Sequence, residues 1–201
     1  MSLKQIKFLQ SLYPKHVVEQ TTEFPIYELD MTGILDNKKI LDLILNTPTN
    51  FDKKERCILL QNQGNNENEG SYDSEYNLFE DEKWQFFVDE VTNVITQIES
   101  KLAKNRKIKA TPHFFHLWYV WYNKNSSQIL HQHGWESKWA VVYYAQANEN
   151  DSPIIFQNKN TELTIQPITG KLLVFPGKCW HRVALQETNT KRIALVGNIG
   201  F

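Results

Sequence analysis

The chain has 201 residues, of which 41% are hydrophobic and 12% aromatic, enough for one globular domain with a substantial core. Its 22 basic and 23 acidic side chains nearly cancel and form no basic stripe, which argues against binding to a nucleic-acid backbone. The two cysteines, Cys57 and Cys179, lie far apart without CxxC spacing, so neither a disulfide framework nor a thiol nucleophile is indicated.

The first part of the chain, residues 1–109, mixes short strand and helix patterns. FPIYELD (Phe24–Asp30) alternates apolar and polar residues as a strand does. DNKKILDLILN (Asp36–Asn46) has the spacing of a short amphipathic helix, and Asp36 is placed to cap its first turn. RCILLQN (Arg56–Asn62) favours another strand.

A polar run, QNQGNNENEGSYDSEYN (Gln61–Asn77), follows these elements. Its Asn, Gly, Glu and Ser residues compete for their own backbone groups or cost entropy to order, so the run predicts a loop. One hypothesis is that this loop acts as a lid that closes over a substrate. The N-terminal twenty residues do not resemble a signal peptide, and no run of about 18 apolar residues occurs, so a cytoplasmic protein without a membrane span is expected.

The clearest helix pattern covers EDEKWQFFVDEVTNVITQIESKLAKN (Glu80–Asn105). Acidic residues fill its first turn and lysines its last, which suits the helix dipole. Apolar residues recur at steps of three and four, namely at Trp84, Phe87, Val88, Val91, Ile95, Ile98 and Leu102. We expect this stripe to pack on the core and assign it no chemistry.

From about residue 110 the pattern changes to short strands rich in β-branched and aromatic residues, separated by polar turns such as NKNSS. The predicted strands are His113–Asn123, Lys138–Gln146, Pro153–Asn158, Glu162–Pro167, Lys171–Gly177, His181–Gln186 and Lys191–Ile199. Evenly spaced short strands indicate an antiparallel sandwich or small barrel. We therefore expect an α+β protein with a single domain over 1–201, in which residues 1–109 support a β core at 110–201.

Two histidines one residue apart, in ILHQHGWES (Ile129–Ser137), are the strongest chemical signal. If the segment is extended, His131 and His133 project from one face of a strand, where two imidazoles can hold a metal ion. A third ligand must come from elsewhere, and His181 in FPGKCWHRV begins another predicted strand. Either motif alone is weak, and packing is the alternative, but their order along one β region favours a metal site.

The runs HQHGWESKWAVVYYAQ, ITGKLLVFPGKCWHRV and KRIALVGNI resemble the motifs of iron(II)- and 2-oxoglutarate-dependent dioxygenases, over about Tyr119–Ile199. More narrowly, they resemble oxygenases common in bacteria and large tailed phages that carry H-x-H and a distal histidine. The resemblance implies a double-stranded β-helix (jelly roll) with helices packed on one sheet, and Fe(II), 2-oxoglutarate and O2 as the cofactor set. It also implies hydroxylation of a prolyl or other protein side chain, or of a small molecule, with release of succinate and CO2 in a bacterial or phage-infected cell.

The same resemblance assigns iron ligands. His131 and His181 correspond to the two histidines of the family motif, and His133 stands where the wider family has Asp or Glu. Non-haem iron sites usually combine two histidines with one carboxylate. The third ligand is therefore His133, which matches the narrower family, or alternatively Glu136 from the loop that follows.

Four further residues are implied to bind 2-oxoglutarate. Arg192 lies eleven residues after His181, near the place where similar enzymes carry the Arg or Lys that pairs with the far carboxylate of the co-substrate. Tyr144 and Tyr122 resemble tyrosines that line the same site, and Asn198 is a further polar candidate. Ordinary packing or a surface position is the alternative for each of them.

Two other functions stay open at this point. A cupin-like dioxygenase would use a three-histidine iron site without 2-oxoglutarate, and a non-catalytic jelly-roll binding module would use the histidines for packing. His113 and His116 are three residues apart and would face opposite sides of a strand, so a second metal site is not expected. Neither a nucleic acid nor a membrane is an expected partner.

Overall fold

The computed structural model describes residues 17–21, 24–47, 60–62, 71–74, 77–103, 110–158 and 161–201. The strands are β1 (Val17–Thr21), β2 (Pro25–Asp30), β3 (Leu60–Asn62), β4 (Ser71–Asp73), β5 (His113–Tyr122), β6 (Ser126–His131), β7 (Trp139–Gln146), β8 (Ile154–Asn158), β9 (Thr161–Ile165), β10 (Lys171–Pro176), β11 (Trp180–Val183) and β12 (Arg192–Gly200). The helices are α1 (Asn37–Asn46) and α2 (Gln85–Leu102), with two 3-10 turns at Leu78–Glu80 and Glu82–Trp84.

The strands form two sheets. The larger sheet has seven strands in the order β1-β2-β10-β7-β12-β5-β4, and the smaller has five in the order β3-β6-β11-β8-β9. All the pairings of these strands are antiparallel. With both helices on the outer face of the larger sheet, this is the α+β double-stranded β-helix that the sequence predicted.

The apolar stripe of α2 packs against the outer face of the seven-stranded sheet. Phe87, Val91, Ile95 and Ile98 are buried there, and the Phe87 ring meets the Tyr143 ring edge-on at a centroid distance of 5.7 Å. Burying one such side chain contributes about 1.5–3 kcal/mol. The shorter helix α1 begins as expected, because the Asp36 side chain accepts a hydrogen bond from the Lys39 backbone N–H.

The bounds of α2 differ from the predicted Glu80–Asn105. The helix begins at Gln85, because two 3-10 turns take up the preceding residues, and residues 104 and 105 lie outside the described part of the chain. The last apolar position of the predicted stripe, Leu102, is 41% exposed. Within the described part, no helix is long and apolar enough to cross a membrane.

The inner strands of the seven-stranded sheet, such as β7 and β12, are buried on both faces, and the alternation of side chains along them separates two cores. On β7, Tyr143 faces the helices, whereas its neighbour Tyr144 faces the interior between the two sheets. On β12, Leu195 faces the helices and Ala194 faces the interior. The interior core is thus built by every second residue of the same strands that build the helix-facing core.

After residue 110, the observed strands lie within three residues of the predicted bounds, with one exception. The strand β6 was not predicted, because Ser126 and Ser127 lie in a polar run that favours a turn. Both serines are buried, and β6 lies between β3 and β11 in the smaller sheet. The ends of the predicted loop Gln61–Asn77 include strand residues of β3 and β4, whereas residues 63–70 and Cys57 lie outside the described residues.

Candidate metal centre and anion pocket

Three histidines meet in the interior of the jelly roll. His131 ends β6, His181 lies opposite it on the paired strand β11, and His133 follows two residues after the end of β6. One ring nitrogen from each lies within 4.8 Å of the others. The ring centroids are 4.2 Å apart for His131 and His181, and 5.2 Å apart for His133 and His181. These distances suit three ligands on one face of a metal ion.

His133 reaches the cluster by a different route from the one that the sequence suggested. The strand β6 ends at His131, so His133 lies in the connection to β7 rather than on a strand face. Its backbone N–H donates to the Gly177 carbonyl at 2.8 Å, which ties this connection to the turn after β10. Gly177 packs so closely that an added Cβ would lie 2.2 Å from the Ser137 carbonyl oxygen, so the contact requires glycine.

Backbone carbonyls fix the tautomers of two of the histidines. The Nδ1 atom of His131 lies 2.9 Å from the Ile129 carbonyl, and the Nδ1 atom of His181 lies 2.9 Å from the Cys179 carbonyl. A carbonyl oxygen only accepts hydrogen bonds, so both Nδ1 atoms carry the proton. Each Nε2 atom is therefore unprotonated and carries a lone pair, which is the form that a metal ion binds.

All three imidazoles are held in the neutral state. Burial lowers the pKa of His181 well below its ordinary value, and the nearby His131 and His133 lower it further. Burial, with smaller contributions from His131 and His116, lowers the pKa of His133 to about 4. Burial also lowers the pKa of His131, against the opposing hydrogen bond to Ile129. Because metal ions bind neutral imidazole, the site is ready for a metal at neutral pH.

Arg192 lines the same cavity as the three histidines, and its guanidinium has no ionic partner among the described residues. It is 2% exposed and stacks between two tyrosine rings, with its Cζ atom 4.6 Å from the Tyr122 ring centroid and 5.0 Å from that of Tyr144. Its Nε atom has no hydrogen-bond partner. Burying an unpaired cation is costly, so the pocket is built to receive an anion.

The hydroxyl of Tyr144 is buried beside Arg192 and also has no hydrogen-bond partner. Burial raises the pKa of Tyr144, and this effect exceeds the opposing one of the guanidinium. The hydroxyl therefore stays protonated and can donate to the same anion. The hydroxyl of Tyr122, unlike that of Tyr144, has a hydrogen-bond partner. It donates to the Oε1 atom of Gln128 on the cavity wall, at 3.0 Å.

Two of the other predicted site residues lie away from this cavity. Glu136 is exposed in a turn and lines a separate open groove, so it is not part of the histidine cluster. Asn198 lies near the opposite end of β12 from Arg192, where its amide contacts Ser137 and His116 at 3.5 and 3.4 Å.

Cys179 and Gln128 lie outside the candidate ligand set. Cys179 is buried, and burial raises its pKa to about 12, as expected for a thiol that is not a nucleophile. Gln128 lines the cavity and was missed by the sequence analysis, because a single glutamine in a strand carries no motif.

No protein-family model matches the chain, and no curated protein does. Solved structures do match: a 2OG-Fe(II) oxygenase family oxidoreductase from Burkholderia pseudomallei is 12% identical, with a TM-score of 0.61, covering 87% of this chain and 85% of that one. A Pseudomonas putida prolyl-4-hydroxylase is 11% identical, with a TM-score of 0.57 and 98% of both chains covered. HygX from Streptomyces hygroscopicus, with nickel and 2-oxoglutarate bound, is 7% identical, with a TM-score of 0.58, covering 100% of this chain and 87% of that one. The chain thus has the fold of 2-oxoglutarate- and Fe(II)-dependent oxygenases, and a three-histidine cluster lies inside it.

Proposed function

We propose that this protein is an Fe(II)- and 2-oxoglutarate-dependent oxygenase. The observation that carries the proposal is the pairing, in one cavity, of three neutral imidazoles with a buried guanidinium that lacks an ionic partner among the described residues. The first feature suits a metal ion and the second suits a carboxylate. A co-substrate that binds a metal at one end and carries a carboxylate at the other satisfies both.

His131, His133 and His181 are the proposed metal ligands. Imidazole is a good ligand for Fe(II), but this set lacks the carboxylate that usually accompanies two histidines. The divalent charge is then not offset by the protein, which favours binding of an anionic co-substrate at the metal. When bound, iron with 2-oxoglutarate and O2 supplies the oxidising chemistry, with succinate and CO2 as co-products.

Arg192 and Tyr144 are the proposed anchors for the far carboxylate of 2-oxoglutarate. A guanidinium offers two parallel donors to a carboxylate, and the Tyr144 hydroxyl adds a third. The guanidinium is held in place, because Arg192 is stacked between two tyrosine rings and lies on β12, which pairs with β5 and β7. Apolar side chains such as Val142 and Phe175 line much of the rest of the cavity, and such a low-dielectric lining strengthens these hydrogen bonds.

We further propose hydroxylation as the reaction, with a prolyl or other protein side chain as the first substrate class to test. Support comes from similar structures, which include prolyl hydroxylases from Pseudomonas putida and Trichoplax adhaerens, the latter in complex with a peptide fragment. Another similar protein, HygX, has hygromycin B bound, so a small-molecule substrate is the second class.

The proposal is tested by adding Fe(II) and 2-oxoglutarate to the protein without oxygen. A weak visible charge-transfer band is expected in the wild type, and Arg192→Ala should weaken 2-oxoglutarate binding by roughly 100-fold because it removes a buried bidentate contact. Arg182→Ala is the matched control, because Arg182 lies on β11 and pairs with Glu162 at 3.4 Å in a half-exposed position. Equal binding by wild type and Arg192→Ala would contradict the co-substrate assignment.

The two other functions are less well supported. A three-histidine dioxygenase that does not use 2-oxoglutarate leaves the buried Arg192 and the Tyr144 hydroxyl without a ligand. A non-catalytic module leaves unexplained why the lone pairs of His131 and His181 are directed into one cavity. Metal content of untagged protein, followed by 2-oxoglutarate binding with and without metal, separates the three functions.

A further inference from the structure

Gln128 lies between the candidate metal site and the wall that carries Tyr122. It is on β6, three residues before His131, and lines the cavity. Its amide oxygen is 3.0 Å from the Tyr122 hydroxyl, and its amide nitrogen is 3.5 Å from the Nε2 atom of His131. The side chain therefore bridges a cavity wall and the ring nitrogen that would hold the metal.

The hydrogen-bond partners fix the direction of this amide. The proton of His131 is on Nδ1, because that atom faces the Ile129 carbonyl, so Nε2 can only accept. The group opposite Nε2 must donate, which assigns the amide nitrogen of Gln128 to that side and its oxygen to Tyr122. The Tyr122 hydroxyl must then donate to this oxygen. The proton of Tyr122 is thus used to orient Gln128.

Metal binding changes what this amide can contact. His131 would hold a metal ion through the Nε2 lone pair that Gln128 contacts, and the amide N–H of Gln128 would then lose its acceptor. Tyr122 still holds the amide oxygen, which keeps the N–H directed toward the metal site. A partly buried donor without an acceptor is unfavourable, so the N–H is poised for an oxygen atom bound to the metal.

We infer that Gln128 positions the metal-bound end of the co-substrate by donating a hydrogen bond to its oxygen, and that Tyr122 is a positioning residue that acts through Gln128. This inference rests on the proposed function. It assigns Tyr122 to the metal-proximal end of the cavity through its hydroxyl, while its ring supports Arg192 at the other end. One tyrosine side chain then links both ends of the co-substrate pocket.

The test compares 2-oxoglutarate binding to the anaerobic Fe(II) protein in wild type and Gln128→Met, a substitution of similar length that removes the donor. Metal stoichiometry should be unchanged, because no ligand is altered. The dissociation constant for 2-oxoglutarate should rise about tenfold, as expected for one hydrogen bond to a charged group, and the visible band should shift. Gln157→Met is the control, because Gln157 lies on β8 beside the interior residue Phe156 and points the other way.

Tyr122→Phe keeps the ring against Arg192 but frees the Gln128 amide, so it should weaken binding less than Gln128→Met. In the double variant the two effects should not add, because both act on one hydrogen bond. Additive effects, an unshifted band with wild-type affinity in Gln128→Met, or loss of metal from that variant would each overturn the inference. Failure of the proposed function is distinct from these results, because the wild type itself would then show no 2-oxoglutarate-dependent band.

Discussion

Two neighbouring tyrosines on β7, Tyr143 and Tyr144, face opposite sides of the seven-stranded sheet and differ in how their hydroxyls are bonded. Tyr143 faces the helices, and its hydroxyl lies 3.0 Å from the Asn37 side-chain oxygen. Tyr144 faces the interior, equally buried, and its hydroxyl has no partner. At these two positions, the helix-facing hydroxyl is satisfied within the fold, whereas the cavity-facing hydroxyl is left for a ligand.

The same contrast holds for the charged groups on the two faces. On the helix side, the buried Glu99 carboxylate accepts a hydrogen bond from the Trp139 indole at 2.7 Å and pairs with the Lys138 ammonium at 2.8 Å. On the cavity side, the Arg192 guanidinium has no ionic partner in the described part of the chain, and its Nε atom has no hydrogen-bond partner. Substitutions on the helix side should therefore change stability, and those on the cavity side should change ligand binding.

The largest expected effect is on the helix side. Phe87→Ala removes a fully buried ring and should lower the free energy of unfolding by about 3–5 kcal/mol, measured by urea denaturation. Arg192→Met replaces an unpaired buried cation by an apolar chain of similar size, so it should leave this free energy unchanged or raise it. A large loss of stability in Arg192→Met would instead show that the guanidinium stabilises the fold.

Gly177→Ala should affect both properties. The added Cβ would clash with the Ser137 carbonyl, so the turn after β10 must move, at a cost of about 1–3 kcal/mol in stability. Because His133 is tied to the same turn by its backbone N–H, metal affinity should fall as well. Titration with Co(II), followed by its visible absorption, measures this. Unchanged affinity would show that His133 holds its place without the Gly177 contact.

The free energy of unfolding should depend on pH because of the buried histidines. The pKa of His133 is about 4 in the folded protein against an ordinary 6.5, so between these values the unfolded chain binds more protons than the folded one. In the metal-free protein, the free energy of unfolding should rise with pH across this window and level off above it. His133→Phe should flatten the slope, with the same change at exposed His113 as the control. An equal slope in His133→Phe would contradict the assignment.

The smallest expected effects come from the two tyrosines themselves. Tyr143→Phe removes a hydrogen bond and leaves the Asn37 side chain without its partner, so it should cost about 1 kcal/mol of stability. Tyr144→Phe removes an unpaired buried hydroxyl and should be neutral or stabilising, while it weakens 2-oxoglutarate binding. Thermal unfolding of both variants in parallel measures the two changes in stability. Equal losses of stability would contradict the different roles of the two hydroxyls.

Strand spacing predicted an antiparallel sandwich or small barrel, and the family resemblance implied the jelly roll and the convergence of three histidines. The sequence did not predict β6, because a run that contains Ser126 and Ser127 resembles a polar turn. Only the pairing with β3 and β11 shows that the run is a buried strand. The sequence also did not predict that Glu99 is buried, since the partners that make this possible come from another element.

The candidate site shows the same limit. Arg192 was identified from its distance to His181, but Asn198 on the same strand face lies six residues away, or about 20 Å in a strand, and belongs to another contact. Gln128 could not be identified, because its role depends on the pairing of an amide with a tyrosine from β5 and a histidine tautomer. Such roles arise from tertiary contacts and leave no pattern in the chain.

The imidazole orientations at His131 and His181 are set by main-chain carbonyls two residues before each ring. Many metal centres rely on carboxylate side chains for this task, and mutation of such a neighbour weakens metal binding or activity by about 10–100-fold. Here the backbone itself orients the two rings. Side chains that line the cavity can therefore be substituted in evolution while the geometry of these two ligands is kept. Descendants of this chain can therefore acquire new substrates by changing the surrounding side chains without rebuilding the centre.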